Sequence, residues 1–231
     1  MNAEVLEDRA LSFALAATVS GYPTTTFHQR LETLVSMQPV GWAAPLLEGS
    51  ATQAGLERLQ SDFIANFEVG SARLPLHETE FGRTKGLSKG TDLADLAGFY
   101  RAFNLELSDV EGDHEVFDHL AVELEFYSSL LAREAWLAET GNTEGVEVVR
   151  EARGKFLEAH LGRLATALRA HAQLNEGSPW QPALAWTVEL VLAECRAVGV
   201  TPPALDGLSS AEPDEVACAV NLNPPGGKAR S

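Results

Sequence analysis

The sequence predicts an all-α, single-domain helical bundle of about seven or eight helices. Three observations carry this. Apolar residues recur three or four apart along almost the whole chain. Alternating Val/Ile/Thr runs bounded by turns, the strand signature, are missing. Glycine and proline clusters punctuate the periodic segments at helix-length intervals. Length agrees: 231 residues, 45% of them apolar, supply enough material for one sizeable core.

Residues 4–20 form the first candidate helix, stopped by Gly21, Tyr22 and Pro23. Its apolar run, residues 10–19, follows Glu4, Glu7 and Asp8 rather than a basic region. It is also too short to span a bilayer, so it reads as a packed helix and not as a targeting segment. Thr24 to Thr26 can cap a second helix ending near Met37, where Pro39 and Gly41 break the pattern. A third runs from about Thr52 to Asn66, with Leu56, Leu59, Phe63 and Phe67 on one face. Residues 69–90 hold four glycines and a proline without helical period, and read as a long loop. Thr91 or Asp92 then caps a helix through about Phe103.

The next helix is predicted from near Glu115 to about Glu139, with Phe117, Leu120, Leu124, Tyr127, Leu131 and Ala135 on one face. A long helix follows from about Thr143 to Leu174, interrupted at most by Gly154 and Gly162, and another from about Trp180 to Val198. Phe99, Phe103, Leu120, Leu124, Tyr127, Leu131 and Phe156 are expected in one core. The helical domain is placed at residues 1–205, and residues 206–231, rich in Pro, Gly and Ser, read as a flexible tail.

Charge excludes several function classes. With 33 acidic and 17 basic side chains the formal net charge is −16. That argues against non-specific nucleic-acid binding and against stable association with anionic membranes. Two cysteines, Cys195 and Cys218, make no disulfide framework or zinc site, which places the chain in the cytoplasm. Cys195, on an apolar helix face, is expected to be buried and inert. No phosphate loop, nucleophile elbow or HExxH motif is present. Catalysis and a resident cofactor are therefore not expected.

What stands out is acidity. Between residues 104 and 125 there are eight carboxylates and no Lys or Arg. Within that segment Glu115, His119 and Glu123 stand at i, i+4 and i+8, with Asp118 beside them. Three readings remain open. The stripe is a hydrated or salt-bridged helix face. Alternatively it is part of a metal site, since HxxxE on a helix supplies two ligands; a metal-dependent hydrolase would then use His114, His119, Glu123 and His160. Or it is an anionic surface for a basic peptide, with carboxylates pairing with guanidinium groups. The surrounding carboxylates favour an imidazolium at His119 and a raised pKa, while burial against Leu120 and Phe126 would act in the opposite direction.

The helix itself is specific. FDHLAVELEFYSSLL, residues 117–131, resembles the signature of the TorD-like chaperones (TorD, DmsD and NarJ), maturation factors of molybdenum enzymes in the dimethylsulfoxide reductase superfamily. Asp118, His119, Glu123, Leu124 and Phe126 match the family pattern. RALSFALAATVSGYP (9–23), LPLHETEFG (74–82), LADLAGFYRAFNLEL (93–107) and KFLEAHLGRL (155–164) are similar to further family segments in the family's order. LADLAGFYRAFNLEL looks closest to the nitrate, selenate and dimethylsulfide-oxidising branch. Phe117 stands where the family usually has proline, and Ala159 and Leu164 replace an expected Asp and Trp near His160.

The resemblance implies a cytoplasmic chaperone serving anaerobic respiration, a monomer or homodimer. It would bind the apo catalytic subunit of a molybdenum enzyme and its twin-arginine signal peptide, and hold it until the molybdopterin cofactor is inserted before export. Client-binding residues implied are Asp118, His119, Glu123, Phe126, Tyr127, Glu115, Glu78 and Glu80.

Overall fold

The computed structural model describes residues 2–68, 73–81, 89–105, 117–174 and 176–203. The helices are α1 (Ala3–Ser20), α2 (Phe27–Met37), α3 (Ala44–Ser50), α4 (Gln53–Phe67), α5 (Lys89–Ala102), α6 (Leu120–Glu139), α7 (Thr143–Phe156), α8 (Gly162–His171) and α9 (Trp180–Val198). A π-turn, Leu157–Leu161, joins α7 and α8 into one rod. Taking that rod as a single helix gives eight among the described residues, and the all-α expectation is met. Extended pairing among them is confined to one bridge, between His77 and His119. None of these helices is long and apolar enough to cross a membrane.

α1 is the spine. Its small residues allow a close approach to α6, and the two helices run antiparallel. The Ser128 hydroxyl donates to Ala10 O at 2.8 Å, the Phe13 ring packs 4.6 Å from that of Tyr127, and Ala17 shares a pocket with Ala121. Phe13, Leu15 and Ala16 are fully buried, so the apolar run read from the sequence is an internal helix.

Leu120, Leu124, Tyr127, Leu131 and Phe156 all lie in the main core, and Phe99 and Phe103 pack against it half-buried. Under α5, Tyr100, Phe126 and Phe156 form an aromatic wall, with ring centroids 4.9 Å apart for Tyr100–Phe126 and 4.7 Å for Phe126–Phe156. These spacings suit edge-to-face packing. A second set, Phe63, Phe67 and Trp180, joins α4 to α9.

Three boundaries differ from the sequence expectations. α3 was not expected, because Pro39 and Gly41 look like breakers. Pro45 instead occupies the first turn of α3, where a missing N–H costs nothing. α6 begins at Leu120 rather than near Glu115, because His119 adopts extended backbone (φ −78°, ψ 137°) as the cap. The long helix after Thr143 departs from α-geometry at the π-turn Leu157–Leu161, which ends against Gly162, one of the two positions marked for an interruption. A Cβ there would lie 2.3 Å from Leu157 O and 2.6 Å from Pro202 Cγ, so only glycine closes the π-turn.

Candidate functional site: a buried acidic and histidine node

The strap formed by residues 73–81 lies against the entry to α6. Leu74, Leu76 and Phe81 anchor it in the core. Around the His77–His119 bridge, Leu120 N–H donates to Leu76 O at 2.8 Å and Glu78 N–H to Asp118 O at 2.9 Å. The Asp118 carboxylate, 1% exposed, accepts from Thr79 N–H at 3.1 Å, from the Thr79 hydroxyl, and from His77 Nδ1 at 3.2 Å. Burial alone would raise its pKa. The bonds from His77 and Thr79 outweigh that and hold the carboxyl well below its ordinary range.

His119 corrects the expectation of an imidazolium between two carboxylates. Its Nδ1 accepts the Ala121 N–H at 3.2 Å, capping α6, and an accepting nitrogen carries no proton. Burial, followed by the positive potential of His77, pulls its pKa down to about 3 against the opposing charge of Asp118. His119 is neutral at physiological pH.

A second layer lies behind this one. His160, on the π-turn, donates from Nδ1 to Glu78 Oε2 at 2.9 Å and from Nε2 to Asp95 Oδ2 at 3.0 Å. Two donated bonds require the imidazolium. Burial opposes that charge, but the bond to Glu78 and the Glu78 charge, then Asp95, raise the pKa overall. Arg163 Nη1 lies 3.5 Å from Glu78 Oε1. Glu123 is completely buried, and neither of its oxygens has a hydrogen-bond partner among the described residues. Burial, with Glu78 and Asp118 adding to it against Arg163, keeps this carboxyl protonated well above the usual range.

The structure thus brings Glu78, Asp118, His119 and Glu123 together, all in the interior rather than on an open acidic face. Glu80 is half-buried at the edge of the strap. Phe126 belongs to the aromatic wall. Tyr127 faces a different network, where its hydroxyl donates to Glu194 Oε1 at 2.8 Å and accepts from Arg153. Arg153 is itself buried between Glu134 and Glu194. Glu115 and His114 lie outside the described residues.

The hydrolase alternative gains no support. Among the described residues no group of three metal-ligating side chains is placed to hold an ion, and both ring nitrogens of His160 are engaged by carboxylates. Cys195 is buried, and burial followed by Glu194 raises its thiol to about 11, as expected of an inert cysteine. Sequence reasoning missed His77, Thr79, Asp95 and Arg163. The strap pairing brings His77 and Thr79 to Asp118, while Asp95 reaches the node through His160 and Arg163 through Glu78.

Beside the node, α5 and α7 flank a cavity of about 680 Å³, floored by Phe99, Phe103, Leu137 and Val149 and rimmed by Arg133 and Lys155.

The comparisons with known proteins fall on this same region. The nitrate reductase delta subunit family matches residues 26–169, which include Glu78, Asp95, Asp118, His119, Glu123 and His160. The chain is also 31% identical over 154 residues to a selenate reductase assembly chaperone protein of Thauera selenatis, an alignment covering 66% of this chain and 76% of that one. The chain belongs to the nitrate reductase delta subunit family, the NarJ/TorD-like redox-enzyme maturation chaperones, and its role is assembly rather than catalysis.

Proposed function

We propose that this chain binds the immature catalytic subunit of a molybdenum oxidoreductase in the cytoplasm, with selenate reductase the leading candidate client. It engages the basic, twin-arginine leader of that subunit and keeps the apoenzyme open until the molybdopterin cofactor is inserted, before export. The observation that carries this reading is the coincidence of family match and node: the matched span encloses every member of the buried acidic and histidine node, and the relative is named for selenate reductase assembly.

The chemistry supports a basic partner. A net charge of −16 attracts a cationic leader over long range. Glu80 and His77 sit at the accessible edge of the strap. Asp118, His119 and Phe126 act from behind, fixing the strap and the start of α6, while Tyr127 ties α6 to α9. Glu115, on the segment preceding α6, extends the same acidic region in sequence.

Titration calorimetry of the purified chain with apo catalytic subunit, with and without its leader, tests the reading. Binding that requires or is strengthened by the leader, and weakens as salt rises, is expected. Absence of binding to either form would overturn it.

A further inference from the structure

The cavity between α5 and α7 plays no part in the client-binding reading. Phe99, Phe103, Leu137, Val148, Val149 and Ala152 line it. Val148 is 57% exposed, so the apolar lining runs out to the surface as a groove. Along α7 it extends from Glu144 to Lys155, about 16 Å of helix. Its volume of about 680 Å³ lies within the range of small-molecule sites, about 300–1,000 Å³.

Charge at the rim is opposite in sign to the chain as a whole. The Arg133 guanidinium stands 5.6 Å over the Phe103 ring and donates from Nη1 to Phe103 O at 3.3 Å. Ring and carbonyl together hold the fork at the edge of the groove. Among the described residues it has no carboxylate partner, in a chain with 33 acidic side chains. The second cation, Lys155, lies 2.6 Å from Glu151, but both side chains are exposed. A pair of that kind is worth little and exchanges partners readily. The remaining acid of the lining, Glu144, sits in the first turn of α7, where the helix dipole favours its charge. The position left without a counter-charge is the one in front of Arg133.

We propose that this groove binds a single-chain anionic amphiphile, a long-chain carboxylate, with its head on the Arg133 guanidinium and its alkyl chain along Phe103, Leu137 and Val149. A guanidinium presents parallel N–H donors to both carboxylate oxygens. The alkyl chain covers apolar surface that α5 and α7 leave open to water. A basic segment is the wrong occupant, because Arg133 and Lys155 repel it. Phe99 belongs to the lining, and its ring also stands 5.7 Å from that of His160, so an occupied groove bears on the wall behind the node. The inference is independent of the client-binding reading, and its test uses no client.

The probe is dodecanoate below its micelle concentration, titrated into the full chain by calorimetry, with amide shifts followed by NMR. One-to-one binding is expected, with the largest shifts at Val148, Val149 and Ala152. Decanoate should bind about tenfold more weakly, because two fewer methylenes are buried. Dodecyltrimethylammonium, with the same alkyl chain and a cationic head, should bind more weakly than dodecanoate. Adsorption anywhere on a surface of net charge −16 would give the reverse order. Arg133→Gln, at an exposed position, should lower dodecanoate affinity about tenfold and erase the preference for the anion. Val148→Glu, also at an exposed position, should abolish binding, and both variants should keep the wild-type helicity. No binding of dodecanoate, equal or tighter binding of the cationic amphiphile, or unchanged affinity in both variants would overturn the inference. Recruitment of the chain to anionic phospholipid vesicles through Arg133, with no binding of free dodecanoate, would also overturn it and make the groove a membrane-docking surface.

Discussion

Glu78 and His160, 82 positions apart in sequence, meet at 2.9 Å between Oε2 and Nδ1, each side chain 2% exposed. The bond joins the strap to the π-turn, and its partner bond to Asp95 carries the link on to α5. Removing either partner leaves a buried charge with only its weaker, more exposed counter-charge, Arg163 for Glu78 or Asp95 for His160, which is why the pair matters more for what its loss would cost than for its net worth.

His160→Gln should therefore destabilise the fold by about 3 kcal/mol, read by urea denaturation. The sign of its pH dependence follows from the raised pKa. The histidine's contribution is complete below about pH 6.5 and declines as pH rises through the folded value. The gap between wild type and variant should be wider near about pH 6 than near about pH 9. A gap that widens with pH would contradict the imidazolium assignment.

Asp118 behaves oppositely. Its folded pKa is depressed, so its contribution is present above about pH 4 and is lost as pH falls toward the folded value. Asp118→Asn should cost about 2 kcal/mol at neutral pH, with the difference shrinking under acid. Acid titration followed by tryptophan fluorescence checks this.

The Arg153 network tests the bundle itself. Arg153 bridges Glu134 of α6 and Glu194 of α9, and Arg9 of α1 reaches Glu194 at 2.9 Å. Arg153→Met leaves two buried carboxylates short of a partner and should cost about 3–5 kcal/mol. Leu124→Ala, in the core of α6, should cost about 2–5 kcal/mol through lost burial and a cavity. Thermal or urea unfolding reads both.

Gly162→Ala should destabilise by more than an ordinary surface substitution, about 2 kcal/mol or more. Its Cβ would meet a carbonyl oxygen and a proline ring. Gly154→Ala, whose Cβ would meet only Val198 Cγ1 at 3.8 Å, should be neutral or stabilising. Equal effects of the two would contradict the π-turn.

Local patterns carried most of the fold. Helical periodicity located α1, α4 and α9 to within a residue or two, because their apolar faces and stop signals coincide. Pro39 and Gly41 hid α3, since they read as a stop after α2, whereas a short helix follows with Pro45 in its first turn. Residues 117–119 were legible as a motif but not as geometry. The i, i+4 spacing implied a helical stripe, and the strap pulled Asp118 and His119 into extended pairing instead. The charge of His119 stays open in the sequence for the same reason: it shows neighbouring carboxylates and possible burial but not the buried N–H that the ring accepts. Partners such as Asp95 for His160 or Glu194 for Arg153 lie 65 and 41 positions away, and no local signal announces them.

The proposed function requires that a molybdenum enzyme be loaded only when this chain is present. The most direct measurement is the molybdenum content of the host's exported molybdenum reductases, by metal analysis of purified enzyme, with and without the chain. The account predicts that one catalytic subunit accumulates without metal when the chain is missing and is restored by supplying it. Full molybdenum content in every such reductase without it would contradict the account.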